Sequence, residues 1–345
     1  MTEEVLPQYE FAESYRKNET LYRTSPAPYG GTLPKGEGFG CAKNDYLKYK
    51  IFYVILCRKG GDGLFADCHM HMILDGLYWK DAIGRHSCGV DEGFVRKTLA
   101  EYQKQGFTYL RDGGDRWGAG KRARDLAPEY GITYRTPLAN LCKKGHYGGF
   151  IGELYADFKE YTQLVRQHRA EGADFIKIMI SGLMDFDVCG RLTEEPLDAD
   201  TIRELIHIAH EEGFSVMAHA NGARCVENAA LAGVDSVEHG AYLDADALQA
   251  MAENNVIWVP TLSTVGNLRG KGRFHEEAVQ AILAGALRNV AAYADLGGTI
   301  APGSDAGAWA VPHGTMTEYA LLRNALGHRA EAVMANGIKE VQKRF

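Results

Sequence analysis

From residue 64 onward, short apolar runs alternate with longer stretches in which apolar residues return at helical spacing. The short runs are "GLFADCHMH", "GFTYLRD", "GITYRTPLA", "ADFIKIMIS", "GFSVMAHA", "VDSVEH", "NVIWVPTLS" and "GTIAPGSDA", and each reads as a strand. Between them, "DEGFVRKTLAEYQKQ", "YADFKEYTQLVRQHRAEG", "DADTIRELIHIAHEEG", "ARCVENAALAG", "DADALQAMAENN" and "EEAVQAILAGALRNVAAYADLGG" read as amphipathic helices. Several finish on glycine, the residue that most easily adopts the left-handed conformation ending a helix. The link "RWGAGKRARDLAPEY" is a poorer helix, interrupted by its glycines and Pro128. Eight strand–helix units in series predict an α/β fold, a (β/α)8 TIM barrel over about residues 64–330. Its active site is expected at the C-terminal ends of the strands.

Residues 1–63 differ in kind. "TSPAPYGGTLPKGEGFG" has the Pro and Gly content of a loop, and only "LKYKIFYVILC" suggests one or two short strands. The expected organisation is an irregular N-terminal extension, residues 1–63, followed by the barrel, residues 64–345, which closes on the helical stretch "RAEAVMANGIKEVQKRF". With 46% hydrophobic residues, 24% charged residues and a formal net charge of −7, nothing favours nucleic acid or an anionic membrane as partner. The run "YKIFYVILC" is too short to span a bilayer, and the acidic start "MTEEVLPQYEFAESYRKNET" lacks the pattern of a signal peptide. Seven scattered cysteines without a CxxC pair predict no disulfide framework, and hence a cytoplasmic protein in a reducing compartment. The expected partner is a small-molecule substrate, with a homo-oligomer left open.

The chemistry lies at the strand ends. His69 and His71 of "ADCHMHM" stand two positions apart, so in a strand both imidazoles enter one space. The fourth strand carries Lys177, the fifth ends in His219, the sixth in His239 and the eighth in Asp305. Each has an ordinary explanation alone, as a capped carbonyl, a helix cap or a snorkelling amine, but six at one mouth point to a metal site. An ammonium at Lys177 would repel a divalent cation there, whereas desolvation and nearby cations favour the neutral amine. A neutral amine can add CO2 and become an anionic carbamate whose two oxygens bridge two metals.

In this order and on these strands, "HMH", "IKIMISG", "AHANG", "EHG" and "GSDAG" resemble the amidohydrolase superfamily of metal-dependent hydrolases over about residues 64–315. "SVMAHANGARCVENAALAGVDSVEHGAYL", "VPTLS" and "PGSDAGAWAVPHG" further resemble its branch of imidazolonepropionase-like proteins and carboxylated-lysine prolidases, the Xaa-Pro and Xaa-Arg dipeptidases. The resemblance implies two divalent ions, most often zinc. His69 and His71 would hold the more buried one and His219 and His239 the other, with Lys177 bridging as a carbamate formed from CO2 and Asp305 completing the first shell. It implies hydrolysis of a dipeptide, an N-acyl amino acid, or a small cyclic amide or lactone by an activated hydroxide, with Asp305 as the proton carrier. Two departures stand out: the C-terminal segment offers no returning strands, and residues 1–63 form no clean half of the β-sandwich that most relatives carry.

The loop "KKGHYGGF" presents His146 and Tyr147, and His146 resembles the loop histidine that hydrogen-bonds the scissile group in relatives. Arg191 and Tyr242 are candidates for a substrate carboxylate, as is the Lys143–Lys144 pair. Two alternatives remain at this stage. One is a mononuclear deaminase of a small heterocycle, although "HANG" lacks the glutamate that such enzymes place after the fifth-strand histidine. The other is a metal-free assembly protein that has kept the barrel only.

Overall fold

The structure is a computed structural model that describes residues 65–345. The expectations for residues 1–63, including the strands in "LKYKIFYVILC", lie outside the described residues.

The helices begin where their first turns are capped. Glu92–Gln105 (α2), Phe158–Ala170 (α4), Ala199–Glu211 (α5) and Ala245–Glu253 (α7) each follow an aspartate, Asp91, Asp157, Asp198 or Asp244. Each of these carboxylates accepts a hydrogen bond from a free first-turn N–H, on Phe94, Glu160, Thr201 or Ala247. Removing one such cap typically costs about 1 kcal/mol. At the far end of α2, Gly106 takes the left-handed conformation with φ 86°. The remaining helices are Trp79–Arg85 (α1), Ala119–Leu126 (α3), Ala223–Leu231 (α6), Ser263–Gly266 (α8), Glu276–Asp295 (α9), Thr317–Leu326 (α10) and Ala330–Arg344 (α11). Helix α3 is short and followed by a 3-10 turn at Ala127–Tyr130, as the Gly and Pro of that segment dictate.

All strand pairing is parallel. Phe65–Met70 (β1), Phe107–Asp112 (β2) and Thr133–Arg135 (β3) form one ladder in that order. The second ladder runs β10-β9-β8-β7-β6-β4-β5. Its strands are Asn140–Lys143 (β4), Glu153–Tyr155 (β5), Ile176–Met179 (β6), Val216–Ala220 (β7), Ser236–His239 (β8), Ile257–Val259 (β9) and Thr299–Ile300 (β10).

Here the structure corrects the expected eight strands in detail. The third run is interrupted at Pro137-Leu138, where Leu138 has φ 69°, so β3 pairs with β2 while β4, a few residues on, pairs with β6. The chain thereby passes from one ladder to the other, and β5 is an additional edge strand beside β4. The opposite seam is bridged by backbone bonds from Cys68 N–H to Pro302 (2.9 Å), His71 N–H to Ala306 (2.8 Å) and Asp305 N–H to His69 (2.6 Å). The eighth run therefore keeps only two residues of strand before the loop that carries Asp305.

Inward-facing rows change character along the strands. Tyr109, Phe175 and Met217 belong to an apolar cluster with Ala66, Cys68, Ile257, Val259 and Ala301, closed by Val341 and Phe345. Two positions later on the same rows stand Arg111, Lys177 and His219, all buried. Outward residues such as Ile176, Ile178, Val216, Ala218, Val237 and Trp258 pack in the larger cluster with the helices.

Candidate metal and active site

The six sequence-selected side chains sit where the strands end. His69 lies on β1, Lys177 on β6, His219 on β7, His239 at the end of β8, and His71 and Asp305 on the loops after β1 and β10. His69 Nε2 is 3.4 Å from His71 Nε2 and 3.5 Å from Asp305 Oδ1, and His71 Nε2 is 3.3 Å from the same oxygen. His69, His239 and Asp305 each offer a ligand atom within 4.8 Å of the others, all from buried residues. The His239 ring centroid is 4.9 Å from that of His69 and 4.5 Å from that of His219. His219 is also tied to the neighbouring loop, its Nε2 lying 3.1 Å from Gly182 O.

Burial sets the protonation of this cluster. It pushes His69 and His239 well below the usual imidazole range and His219 down to about 3, with the Lys177 charge adding to each shift. Neutral imidazoles are the form that binds metal. Burial likewise lowers Lys177 to about 8, against the partial support of Glu238 and Asp305. Lys177 Nζ and His71 Nδ1 are buried with no hydrogen-bond partner. Such groups are exceptional in a folded interior. The donor set of four imidazoles, one carboxylate and an unpartnered amine fits a divalent metal, and it fits a pair if the amine becomes an anion.

Unusual backbone holds the ligands in place. His239 has φ 69°, Asp305 φ 56°, and Thr261, whose hydroxyl lies 2.7 Å from His239 Nδ1, φ 47°. Such conformations cost about 1–3 kcal/mol each and concentrate at functional sites. The turn at His239 has a geometric result: consecutive residues, Glu238 and His239, both reach His69. Gly113 matters for the opposite reason. A Cβ there would lie 2.1 Å from His71 Cε1 and 2.6 Å from its Nδ1. Gly113→Ala is therefore expected to displace the His71 ring and lower metal content while moving the thermal midpoint little. Elemental analysis and a melting curve check this, and normal metal content would count against a ligand role for His71.

The secondary candidates separate. Tyr147 packs on His219 with ring centroids 5.1 Å apart, and its N–H donates to Glu194 at 2.9 Å. His146 lies half-buried beside the same carboxylate, 3.6 Å away. Tyr242 lines a cavity of about 230 Å³ that also reaches His239, Thr261 and Leu262. Arg191 and Lys144 already have carboxylate partners, Asp185 and Glu160. Asn221 of "HANG" is a brace: its amide donates to Gly182 O at 3.0 Å and accepts from Ala241 N–H at 3.0 Å.

Sequence reasoning missed two residues. Arg111 and Glu238 are fully buried and joined at 2.8 Å, and Glu238 Oε2 lies 2.7 Å from His69 Nδ1. The available signal was a charge on the inward row of an apolar strand, in "YLRD" and "SVEH".

No family model matches the sequence. An uncharacterized protein of Mycobacterium tuberculosis is 27% identical over 197 residues, 55% of this chain and 52% of the relative. The ochratoxinase of Aspergillus niger is 25% identical over 276 residues, 69% of this chain and 56% of that enzyme. The chain thus spans about half the length of the curated relatives it matches. Among solved structures, a Xaa-Pro dipeptidase with methionine bound in its active site superposes with a TM-score of 0.65 at 22% identity, covering 80% of this chain and 74% of the other. An amidohydrolase reaches 0.66 at 21% identity, covering 81% and 74%, and A. niger ochratoxinase 0.63 at 21%, covering 81% and 71%. These relatives and neighbours include a Xaa-Pro dipeptidase, an ochratoxinase and an amidohydrolase, and this chain shares the fold of those structures.

Proposed function

We propose that the protein is a metal-dependent hydrolase that opens the amide bond of a dipeptide or an N-acyl amino acid, or the ring bond of a small cyclic amide or lactone. The observation that carries the reading is the Lys177 amine, buried without a partner among metal-competent side chains. Its lowered affinity for a proton favours the neutral form that captures CO2. His69, His71 and Asp305 would hold one divalent ion, His219 and His239 a second, and the Lys177 carbamate both. Such a pair, zinc being the usual choice, supplies Lewis acidity and lowers the pKa of water.

The chain's own residues do the rest. Asp305, within 3.5 Å of both His69 and His71, is placed to accept a proton from the attacking water and return it to the leaving group. His146 and Tyr147, on the loop after β4, are assigned to the scissile group. Tyr242 is assigned to the substrate's substituent in the adjoining cavity, lined mainly by apolar residues. Arg191 and Lys144 can take a substrate carboxylate only by exchanging Asp185 and Glu160. Two features support this reading over a deaminase: the lysine is present, and "HANG" carries no glutamate after the fifth-strand histidine.

No helix among the described residues is long and apolar enough to cross a membrane. The free cysteines Cys68, Cys88, Cys142, Cys189 and Cys225 support a reducing, cytoplasmic setting. The test is elemental analysis of the purified protein joined to a screen of dipeptides, N-acyl amino acids, lactones and hydantoin-like rings. About two metal equivalents and amide hydrolysis abolished by chelation are expected. One equivalent with ammonia release would favour the deaminase, and no metal with no turnover the assembly protein.

A further inference from the structure

The metal cluster rests on a buried ionic chain that reaches down to the apolar floor of the barrel. Glu238 uses both carboxylate oxygens. Oε2 lies 2.7 Å from His69 Nδ1, while Oε1 accepts from Arg111 Nη2 at 2.8 Å and from the Ser236 hydroxyl at 2.7 Å. Arg111 is held at three further points. Its Nε donates to Cys68 O at 2.7 Å, its Nη1 to Ser236 Oγ at 3.0 Å, and its guanidinium carbon lies 4.4 Å from the Phe345 ring centroid. Arg111, Ser236, Glu238 and His69 are all buried, and Arg111 packs against the edge-to-face pair of Phe345 and Phe175, the latter ring 5.9 Å away.

We propose that Glu238, aimed by Arg111 and Ser236, is a positioning residue that fixes the tautomer and ring orientation of His69. A carboxylate paired with a guanidinium only accepts hydrogen bonds. The 2.7 Å contact therefore requires the proton on His69 Nδ1, leaving the Nε2 lone pair bare and turned toward His71 and Asp305. Without Glu238 the ring could carry its proton on either nitrogen and rotate about its side-chain torsions. Carboxylate partners of this kind orient metal-bound histidines, and losing one typically costs about 10- to 100-fold in metal affinity or activity. Phe345 and Phe175 keep water from Arg111, so the pair works as a rigid strut between floor and mouth. Only the last step, toward a metal, rests on the function proposed above.

The first measurement uses the metal-free wild-type protein. Long-range nitrogen–proton NMR of 15N-histidine-labelled protein, with His69 assigned by its disappearance in His69→Gln, should show a protonated Nδ1 and a bare Nε2. A proton on Nε2 would overturn the proposal whatever the protein hydrolyses.

The second compares variants. Glu238→Gln alone strands a buried guanidinium and may not fold, so the informative protein is the Arg111→Met/Glu238→Gln double variant, which buries no charge. It should melt near the wild type yet release metal to a chelator about 10- to 100-fold faster. Glu318→Gln is the control. It alters another buried acidic side chain, which accepts from the Ser263 N–H and hydroxyl, and should leave chelator kinetics unchanged. Wild-type metal retention in the double variant would refute the positioning role. If the double variant does not fold, the tautomer of the wild type decides alone. If the wild type takes up no metal, the function proposed above fails while the tautomer result still stands or falls by itself.

Discussion

Lys177→Ala is expected to lose the capacity to hold a metal pair, and the wild-type protein stripped of metal is expected to regain activity only when bicarbonate accompanies the metal. Lys177 is buried on β6, its amine has no partner, and its proton affinity is depressed to about 8. An ammonium there would oppose any divalent cation beside it, whereas a carbamate adds a negative charge and two ligand oxygens. The alanine variant removes both and leaves a cavity where the side chain ran. A short carboxylic acid of matching size should enter that cavity and partly restore turnover. The stability of the metal-free protein should change less than a buried truncation usually implies, because an unsatisfied polar group disappears with the side chain. Metal analysis, activity with and without bicarbonate, and rescue by formate or acetate check the expectation. A lysine serving packing alone predicts no bicarbonate effect and unaltered metal content in the variant.

Asp305→Asn should keep most of the metal and lose about 10²- to 10⁴-fold in turnover. The substitution suits the question because Asp305 sits at φ 56°, a left-handed conformation in which Asn, like Asp, is enriched. Its backbone bonds, N–H to His69 O at 2.6 Å and O from Ala308 N–H at 3.0 Å, are independent of the side chain. The amide oxygen can still face His69 and His71, but it cannot take up a proton. Turnover should therefore fall while KM moves little. Near-normal turnover with a good substrate would remove Asp305 from proton transfer. Asp305→Ala would be less telling, since backbone strain and lost chemistry would fall together.

The sequence alone marked most of the strands and placed the candidate ligands at their ends. Local rules suffice for both. Helical periodicity marked helices such as α2, α4, α5 and α7, and the period of two along a strand carried Phe175 to Lys177 and Met217 to His219 from floor to mouth. The six candidate ligands were visible because polar residues at the ends of apolar strands stand out within a few residues of sequence.

Only the tertiary structure decided who partners whom. Arg111 and Glu238 lie 127 residues apart, and nothing local in "YLRD" or "SVEH" says that each neutralises the other beneath His69. Arg191 looked like a fork awaiting a substrate carboxylate, but Asp185, six residues before it, takes it. The split of the third strand at Pro137-Leu138, and the left-handed turn that lets Glu238 and His239 reach one imidazole, also followed from packing. The physical reason is that secondary structure responds to neighbours along the chain. A buried charge instead takes whichever partner the closed fold brings within about 3 Å, and desolvation makes that choice decisive.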